Sequence, residues 1–403
     1  MSTTFFSKIT LLPKDPIIGL TEDFNSDKRE SKINLGVGVY LDSKGNLPKL
    51  ECIKTAFKSI KHSTGGYLPI SGSSKYCESV KKLLFGHDNP LISDDKIVTV
   101  QSLGGTGALR VGAEMLKAIS PGACVAISNP SWENHRGIFE SVGFKVLNYP
   151  YYDKSKICID IDGFVGALKK LPEQSIVVLH ACCHNPTGLD PTSQEWDEIV
   201  SVIENKNHIP FLDIAYQGFS EGIEEDAFII RKFASKIKPM FVANSFSKSL
   251  SLYGERVGAL SIVTDSSDES KKVLSHLKKL IRSNYSNPPT FGQELTTEVL
   301  SNNIAKQQWG KELLTMRNRI KTVRKRLVKL LENNNAGRNF SFINNQNGMF
   351  SYSGLSNEEV NKLRTKFGIY VVNSGRICIA AINQTNVDYI ASSILSVLES
   401  SSS

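Results

Sequence analysis

Residues 175–216 read SIVVLHACCHNPTGLDPTSQEWDEIVSVIENKNHIPFLDIAY. Two apolar, β-branched runs, Ser175–Cys183 and Pro210–Tyr216, enclose the amphipathic segment Gln194–Asn205. Strand, helix, strand is the repeating unit of a parallel sheet covered on both faces. The alternation continues outward over about residues 97–263. Ile97–Leu103, Cys124–Asn129, Met240–Ser245 and Val257–Val263 read as further strands, and Ala108–Ile119 as another helix. The expected fold class is α/β, a large domain with a mostly parallel sheet between helices. In such sheets ligands collect in the loops after the carboxyl ends of the strands, where this chain keeps its unusual residues.

Past residue 300 the period changes. Leu313, Met316, Ile320, Val323, Leu327 and Leu330 recur at spacings of three and four, the apolar stripe of a long helix. Arg317, Arg319, Lys321, Arg324, Lys325, Arg326 and Lys329 mostly flank that stripe and read as its solvated face. They carry much of the net charge of +8, but no aromatic residues interleave with them, so nucleic acid is not an expected partner. Asn333–Asn335 and Gly337 end the helix, and Phe340–Tyr352, Gly368–Asn373 and Arg376–Ala380 read as strands of a smaller α+β domain. Ser400–Ser403 are expected to be disordered. A chain of 403 residues exceeds one compact core, which also implies two domains.

Composition excludes some classes. No run approaches the roughly 20 apolar residues of a membrane span. Met1–Pro16 has neither a signal-peptide apolar region nor Arg-rich transit character, so the expected location is cytoplasmic. The seven cysteines form no CxxC and read as reduced core thiols. His180 and His184 stand four apart with Cys182 and Cys183 between them, but four-apart spacing helps metal binding only on a helix, and a strand sends neighbouring side chains to opposite faces. No metal site is expected.

The chemistry concentrates at strand ends. In Ser245-Phe246-Ser247-Lys248, followed by Gly254-Glu255-Arg256, hydroxyls and a guanidinium fork form a set suited to a phosphate dianion. A lysine beside such a set points to a Schiff base with pyridoxal phosphate. Asp213 closes an apolar strand and needs a partner there. A pyridoxal ring nitrogen kept protonated would supply one. Tyr216 and Asn185 stand where they could bond the ring's phenolic oxygen. Gly104-Gly105-Thr106-Gly107 leads from a strand into a helix, whose N-terminus favours an anion, and it is neither a GxGxxG nor a P-loop.

Together these pieces resemble the class I aminotransferases of pyridoxal fold type I, and the aspartate-using members in particular, over nearly the whole chain. The resemblance is carried by Asn34–Tyr40, Tyr67–Gly72, Gly104–Arg110, Asn129–His135, His184–Gly188, Asp213–Phe219, Ser245–Lys248, Tyr285–Pro289 and Ser374–Arg376. It implies pyridoxal 5'-phosphate as cofactor, with Lys248 holding it and then shuttling the substrate proton, and Asp213 on the ring nitrogen with His135 behind it. Tyr216 and Asn185 are implied at the ring oxygen and Trp132 stacked on the ring. Gly105, Thr106, Ser245 and Arg256 would hold the phosphate, joined by Tyr67 from a neighbouring subunit. For the substrate it implies Arg376 on the α-carboxylate, Trp132, Asn185 and Gly38 beside it, and Arg282 reaching from the other subunit to a distal carboxylate. The expected reaction is reversible amino transfer from L-aspartate to 2-oxoglutarate in a homodimer with shared active sites. The alternative is an enzyme of broader range that also takes aromatic amino acids. The implied division is an arm, 1–15, on the partner subunit, a small domain of 16–45 with 316–403, and a large cofactor-binding domain of 46–315. Ser249–Gly254, between Lys248 and Arg256, departs from the family pattern.

Overall fold

The computed structural model describes residues 4–60, 66–334 and 337–400. Its strands, in chain order, are β1 (Ile33–Asn34), β2 (Ile97–Leu103), β3 (Cys124–Asn129), β4 (Lys145–Pro150), β5 (Tyr152–Asp153) and β6 (Cys158–Ile159). They continue with β7 (Ile176–His180), β8 (Ile209–Ile214), β9 (Met240–Ser245), β10 (Val257–Val263), β11 (Phe350–Tyr352), β12 (Ile369–Tyr370) and β13 (Arg376–Cys378). The main sheet has seven strands in the order β2-β10-β9-β8-β7-β3-β4. β10 runs antiparallel to both its neighbours, and the other pairings are parallel.

Alternate residues of the central strands feed two cores, as the period of a pleated strand requires. Val178, Phe211 and Phe241 pack with Val111 and Leu116 of the helix Gly104–Ile119. Val177, Leu212 and Val242 pack on the opposite face with Trp196 and Phe233. Both faces are therefore apolar, which is why these strands read as continuous apolar runs.

β4 lay outside the expected strands. It is an edge strand, mostly open to solvent, and its Lys145 and Asn148 carry no apolar signal. Ser175–Cys183 is shorter than expected. The strand ends at His180, and Asp190 accepts from the backbone N–H groups of Cys183 (2.8 Å) and His184 (2.9 Å), stabilising a turn instead. Phe340–Tyr352 is mostly not a strand. Ser341–Asn345 forms a 3-10 turn, and only Phe350–Tyr352 pairs, antiparallel to β13. Gly368–Asn373 and Arg376–Ala380 likewise shorten to β12 and β13. β12 pairs in parallel with β1, which ties the N-terminal segment to the C-terminal part.

The long helix is Asn303–Asn333, and Met316 falls inside it. Leu313, Met316, Ile320, Val323 and Leu327 are buried as their spacing predicts, while Leu330 is only partly covered and Leu331 is buried. The reading of the arginines as a solvated face needs correction. Arg317 donates to Gly218 O at 2.8 Å, and Arg319 to Ile382 O at 2.8 Å and Ala380 O at 2.6 Å. Arg324 is buried against Gly348 O at 2.8 Å. These guanidiniums tie loops to the helix through carbonyls, which helical periodicity cannot foretell. Ser401–Ser403 lie outside the described residues.

Candidate active site

β8, β9 and the turn after β7 bring Asp213, Ser245, Lys248 and Asn185 to one cavity at the carboxyl end of the sheet. Gly38, Gly105, Thr106, Trp132, Tyr216, Arg256 and Arg376 also line it. Eleven residues from distant parts of the sequence thus line one cavity. Tyr67 and Arg282 do not. Tyr67 is 92% exposed, and Arg282 ends the helix Ser267–Asn284 with its side chain open to solvent. Their two segments are nevertheless stitched together, since Asn287 Nδ2 donates to Leu68 O at 2.6 Å.

Asp213 is buried at the end of β8. His135 Nε2 donates to its Oδ2 at 2.9 Å, and His135 Nδ1 lies 3.0 Å from Ser131 Oγ. Burial alone would raise the Asp213 carboxyl. The His135 hydrogen bond, with the charges of His135, His180 and Lys248, outweighs burial and holds it below the ordinary range. Its Oδ1 is buried without a partner among the described residues.

Lys248 is partly open to the cavity, its Nζ 5.1 Å from the centre of the Tyr216 ring. Burial, with Arg256 and Arg376 nearby, pushes the amine down to about 8 against the opposing pull of Asp213. A neutral amine is the nucleophilic form. In cofactor-free protein, acetylation of Lys248 by acetic anhydride, followed by peptide mass spectrometry, should therefore have a midpoint near pH 8. Exposed lysines should follow the ordinary value of about 10.4, and a midpoint there for Lys248 would contradict its burial.

The phosphate-sized corner is built by β9 and the loop after it. Ser245 Oγ and Ser247 Oγ are 3.2 Å apart, and Arg256 Nη1 donates to Ser247 Oγ at 3.3 Å. Arg256 is left-handed at φ +53°. Opposite lies the N-terminus of the helix Gly104–Ile119. Gly104 has φ +66°, and a Cβ there would come 2.7 Å from Arg256 Nη2, both of which favour glycine. The altered loop is well tied despite its departure from the family pattern. Trp309 Nε1 donates to Ser249 O at 2.7 Å, Ser251 Oγ to Pro48 O at 3.0 Å, and the Tyr40 N–H to the Tyr253 hydroxyl at 2.9 Å.

Arg376, 1% exposed, closes the cavity from β13. Its Nη1 donates to Asn185 Oδ1 at 3.0 Å and its Nη2 to Gly36 O at 2.6 Å, while Nε has no partner among the described residues. The first bond occupies the Asn185 carbonyl and leaves its Nδ2 as a donor. Tyr216 is buried, which pushes its phenol up and keeps it a donor.

Phe350, Ile17, Ala215 and His180 line the cavity without having been foreseen. His180 has a faint signal in retrospect, since it closes β7 as Asp213 closes β8 and is paired with it. Phe350 has none. His180 and His184 come together where the strand stops. With the strand ending at His180, their centroids are 4.4 Å apart, and His184 lies near Thr187 Oγ1 (2.8 Å) and Ser128 Oγ (3.0 Å) through its two nitrogens. Burial pushes His180 down to about 3.

Fit to pyridoxal phosphate can be tested on these atoms. The orphaned Asp213 Oδ1 suits a protonated ring nitrogen, Asn185 Nδ2 and the Tyr216 hydroxyl suit an oxyanion, and the Ser245–Arg256 corner suits a phosphate. The residues fit, and the architecture is that of the fold type I pyridoxal-phosphate transferases.

The sequence matches the family of class I and II aminotransferases over residues 30–394. It is 52% identical to the aspartate aminotransferase of Pseudomonas aeruginosa, over 98% of this chain and all of that one. Identity to the aromatic-amino-acid aminotransferase of Escherichia coli is 44%, over 98% of this chain and all of that one. The crystal structure of an aromatic-amino-acid aminotransferase from Burkholderia pseudomallei, covalently bound to pyridoxal phosphate, aligns with a TM-score of 0.95 at 52% identity, covering 98% of this chain and 100% of that one. The chain belongs to the class I and II aminotransferases and is a pyridoxal-phosphate-dependent aminotransferase.

Proposed function

We propose that this enzyme transfers the amino group of L-aspartate to 2-oxoglutarate, giving oxaloacetate and L-glutamate. One observation carries the reading: a buried guanidinium, Arg376, faces the cavity with no carboxylate of the described residues paired to it. A buried charge without a counter-charge is costly, and a substrate carboxylate supplies the missing anion in a bidentate geometry.

When bound, pyridoxal phosphate supplies the aldehyde that takes up the amino group and a ring that accepts electrons as bonds to the α-carbon break. The chain's own residues do the rest. In this reading Lys248 holds the cofactor and moves a proton at the substrate α-carbon. Asp213 holds the ring-nitrogen proton and is itself oriented by His135. Trp132 covers the ring, Asn185 and Tyr216 bond its oxygen, and Gly105, Thr106, Ser245 and Arg256 bind the phosphate. Gly38, Trp132, Asn185 and Arg376 receive the substrate, and segments 16–45 and 316–403 close over it as a small domain to exclude water.

A homodimer completes the site in this proposal. Tyr67 and Arg282 are exposed on linked segments and do not line their own cavity. Each would serve the neighbouring subunit's site, Tyr67 at the phosphate and Arg282 at the distal carboxylate. The arm supports the same assembly, for Phe5, Phe6, Ile9, Leu11 and Leu12 are all exposed. A cytoplasmic location accords with seven free cysteines. No helix of the described residues is long and apolar enough to cross a membrane.

The aromatic names among the relatives support one second reading, an enzyme of broader range. A substrate panel separates the two. Oxaloacetate formation from aspartate should exceed turnover of phenylalanine in kcat/KM, and the reverse order would overturn the aspartate reading. Arg282→Ala should lower kcat/KM for aspartate by roughly tenfold or more through loss of an ion pair to the distal carboxylate while sparing phenylalanine. Equal losses for both substrates would remove Arg282 from the account.

A further inference from the structure

We propose that Phe350, held in place by the buried Arg324, positions the Arg376 guanidinium and so sets the enzyme's affinity for substrate carboxylates. The proposal rests on the reading of Arg376 as the carboxylate-binding residue. Phe350 and Arg376 lie on β11 and β13, where the register pairs Phe350 with Cys378 and Tyr352 with Arg376. The two are therefore diagonal neighbours on one face, a separation that an aromatic and a long side chain can bridge. The Arg376 guanidinium carbon stands 4.2 Å from the Phe350 ring centre. The ring is confined on other sides as well. A Cβ at Gly38 would come 2.8 Å from Phe350 Cζ, and the Tyr216 ring meets it edge-on at 5.9 Å.

The chemistry of this support matters as much as its position. A carboxylate beside Arg376 would steady the guanidinium but compete with the substrate for it. A ring face attracts the cation without supplying an anion, so Arg376 stays in place and stays available. The strand beneath is fixed in the same way. Arg324, 2% exposed, donates from Nη2 to Gly348 O (2.8 Å) and Phe350 O (3.3 Å) and from Nε to Ser351 Oγ (3.2 Å). Three neutral acceptors on four consecutive residues pin the backbone from which Phe350 projects. Neither residue is given substrate contact here, so both are positioning residues.

Titration of the holoenzyme with succinate, a dicarboxylate without an amino group, followed by cofactor absorbance, tests this. Phe350→Leu should weaken succinate roughly tenfold, about 1.4 kcal/mol. It should raise KM for aspartate and 2-oxoglutarate by a similar factor, with kcat changed by no more than about threefold, the pattern of lost uniform binding. Arg324→Met should move the same constants in the same direction. Arg376→Ala serves as the reference. If it weakens succinate while Phe350→Leu leaves succinate and KM unchanged, the positioning role is overturned and the carboxylate reading stands. If Arg376→Ala itself leaves succinate binding intact, the carboxylate reading fails, and this proposal with it. A fall in kcat or cofactor content without a shift in KM would mark Phe350 as merely structural and also overturn the proposal. Should Arg324→Met not fold, Phe350→Leu decides alone.

Discussion

Lys248→Ala should lower kcat by roughly 10^4-fold or more, because under the proposed function the substitution removes both the amine that attaches the cofactor and the group that moves the substrate proton. Among the described residues, no other group on the cavity wall is suited to replace it. Burial keeps the Tyr216 phenol protonated, and pushes His180 down to about 3, leaving it a weak base at neutral pH. Asp213 is already engaged with His135. The variant should still bind pyridoxal phosphate, since Ser245, Ser247 and Arg256 are untouched, but borohydride should no longer fix a pyridoxyl group to the chain. Stopped-flow mixing with aspartate, together with mass spectrometry after reduction, checks both parts. Activity above about one-hundredth of the parent, or a pyridoxyl group still attached at another lysine, would remove Lys248 from the centre of the mechanism.

The second large effect is expected at Arg376. Arg376→Ala leaves Asn185 Oδ1 and Gly36 O without their donor and the substrate carboxylate without a counter-charge in a buried place. Breaking one side of a buried charge pair costs about 3–5 kcal/mol. At about 1.4 kcal/mol per tenfold, that is a fall in kcat/KM of roughly a hundredfold to several thousandfold. Arg376→Lys should fall between the two, since an ammonium keeps the charge but loses the planar fork. Kinetics with aspartate and 2-oxoglutarate, with the thermal midpoint as a check on folding, measure it. Loss of less than about tenfold for Arg376→Ala would mean that the carboxylate is held elsewhere.

Much of this was legible along the chain. Strands β2, β3, β9 and β10 were bounded to the residue, because strands covered on both faces are rich in apolar and β-branched residues that set them off from the segments between them. Reactive residues at strand ends were equally visible. Asp213, Ser245 and Lys248 interrupt or directly follow apolar runs, where a polar side chain needs a reason to be. The edge strand β4 was not legible, since half of it faces water and composition no longer constrains it. The short strands after residue 340 were overestimated because side-chain bonds, such as Gln346 to both backbone groups of Tyr352, compete with pairing there.

The sequence by itself determined the α/β architecture, the lysine proposed to hold the cofactor and the set of polar residues at the strand ends, because burial period and local order are one-dimensional properties. Tertiary structure alone decided that Arg317, Arg319 and Arg324 clasp carbonyls instead of facing solvent, that His184 packs against His180, and that Phe350 lies against Arg376. Those contacts join residues far apart in the chain through hydrogen-bond direction and ring stacking. Neither leaves a periodic mark in the order of amino acids.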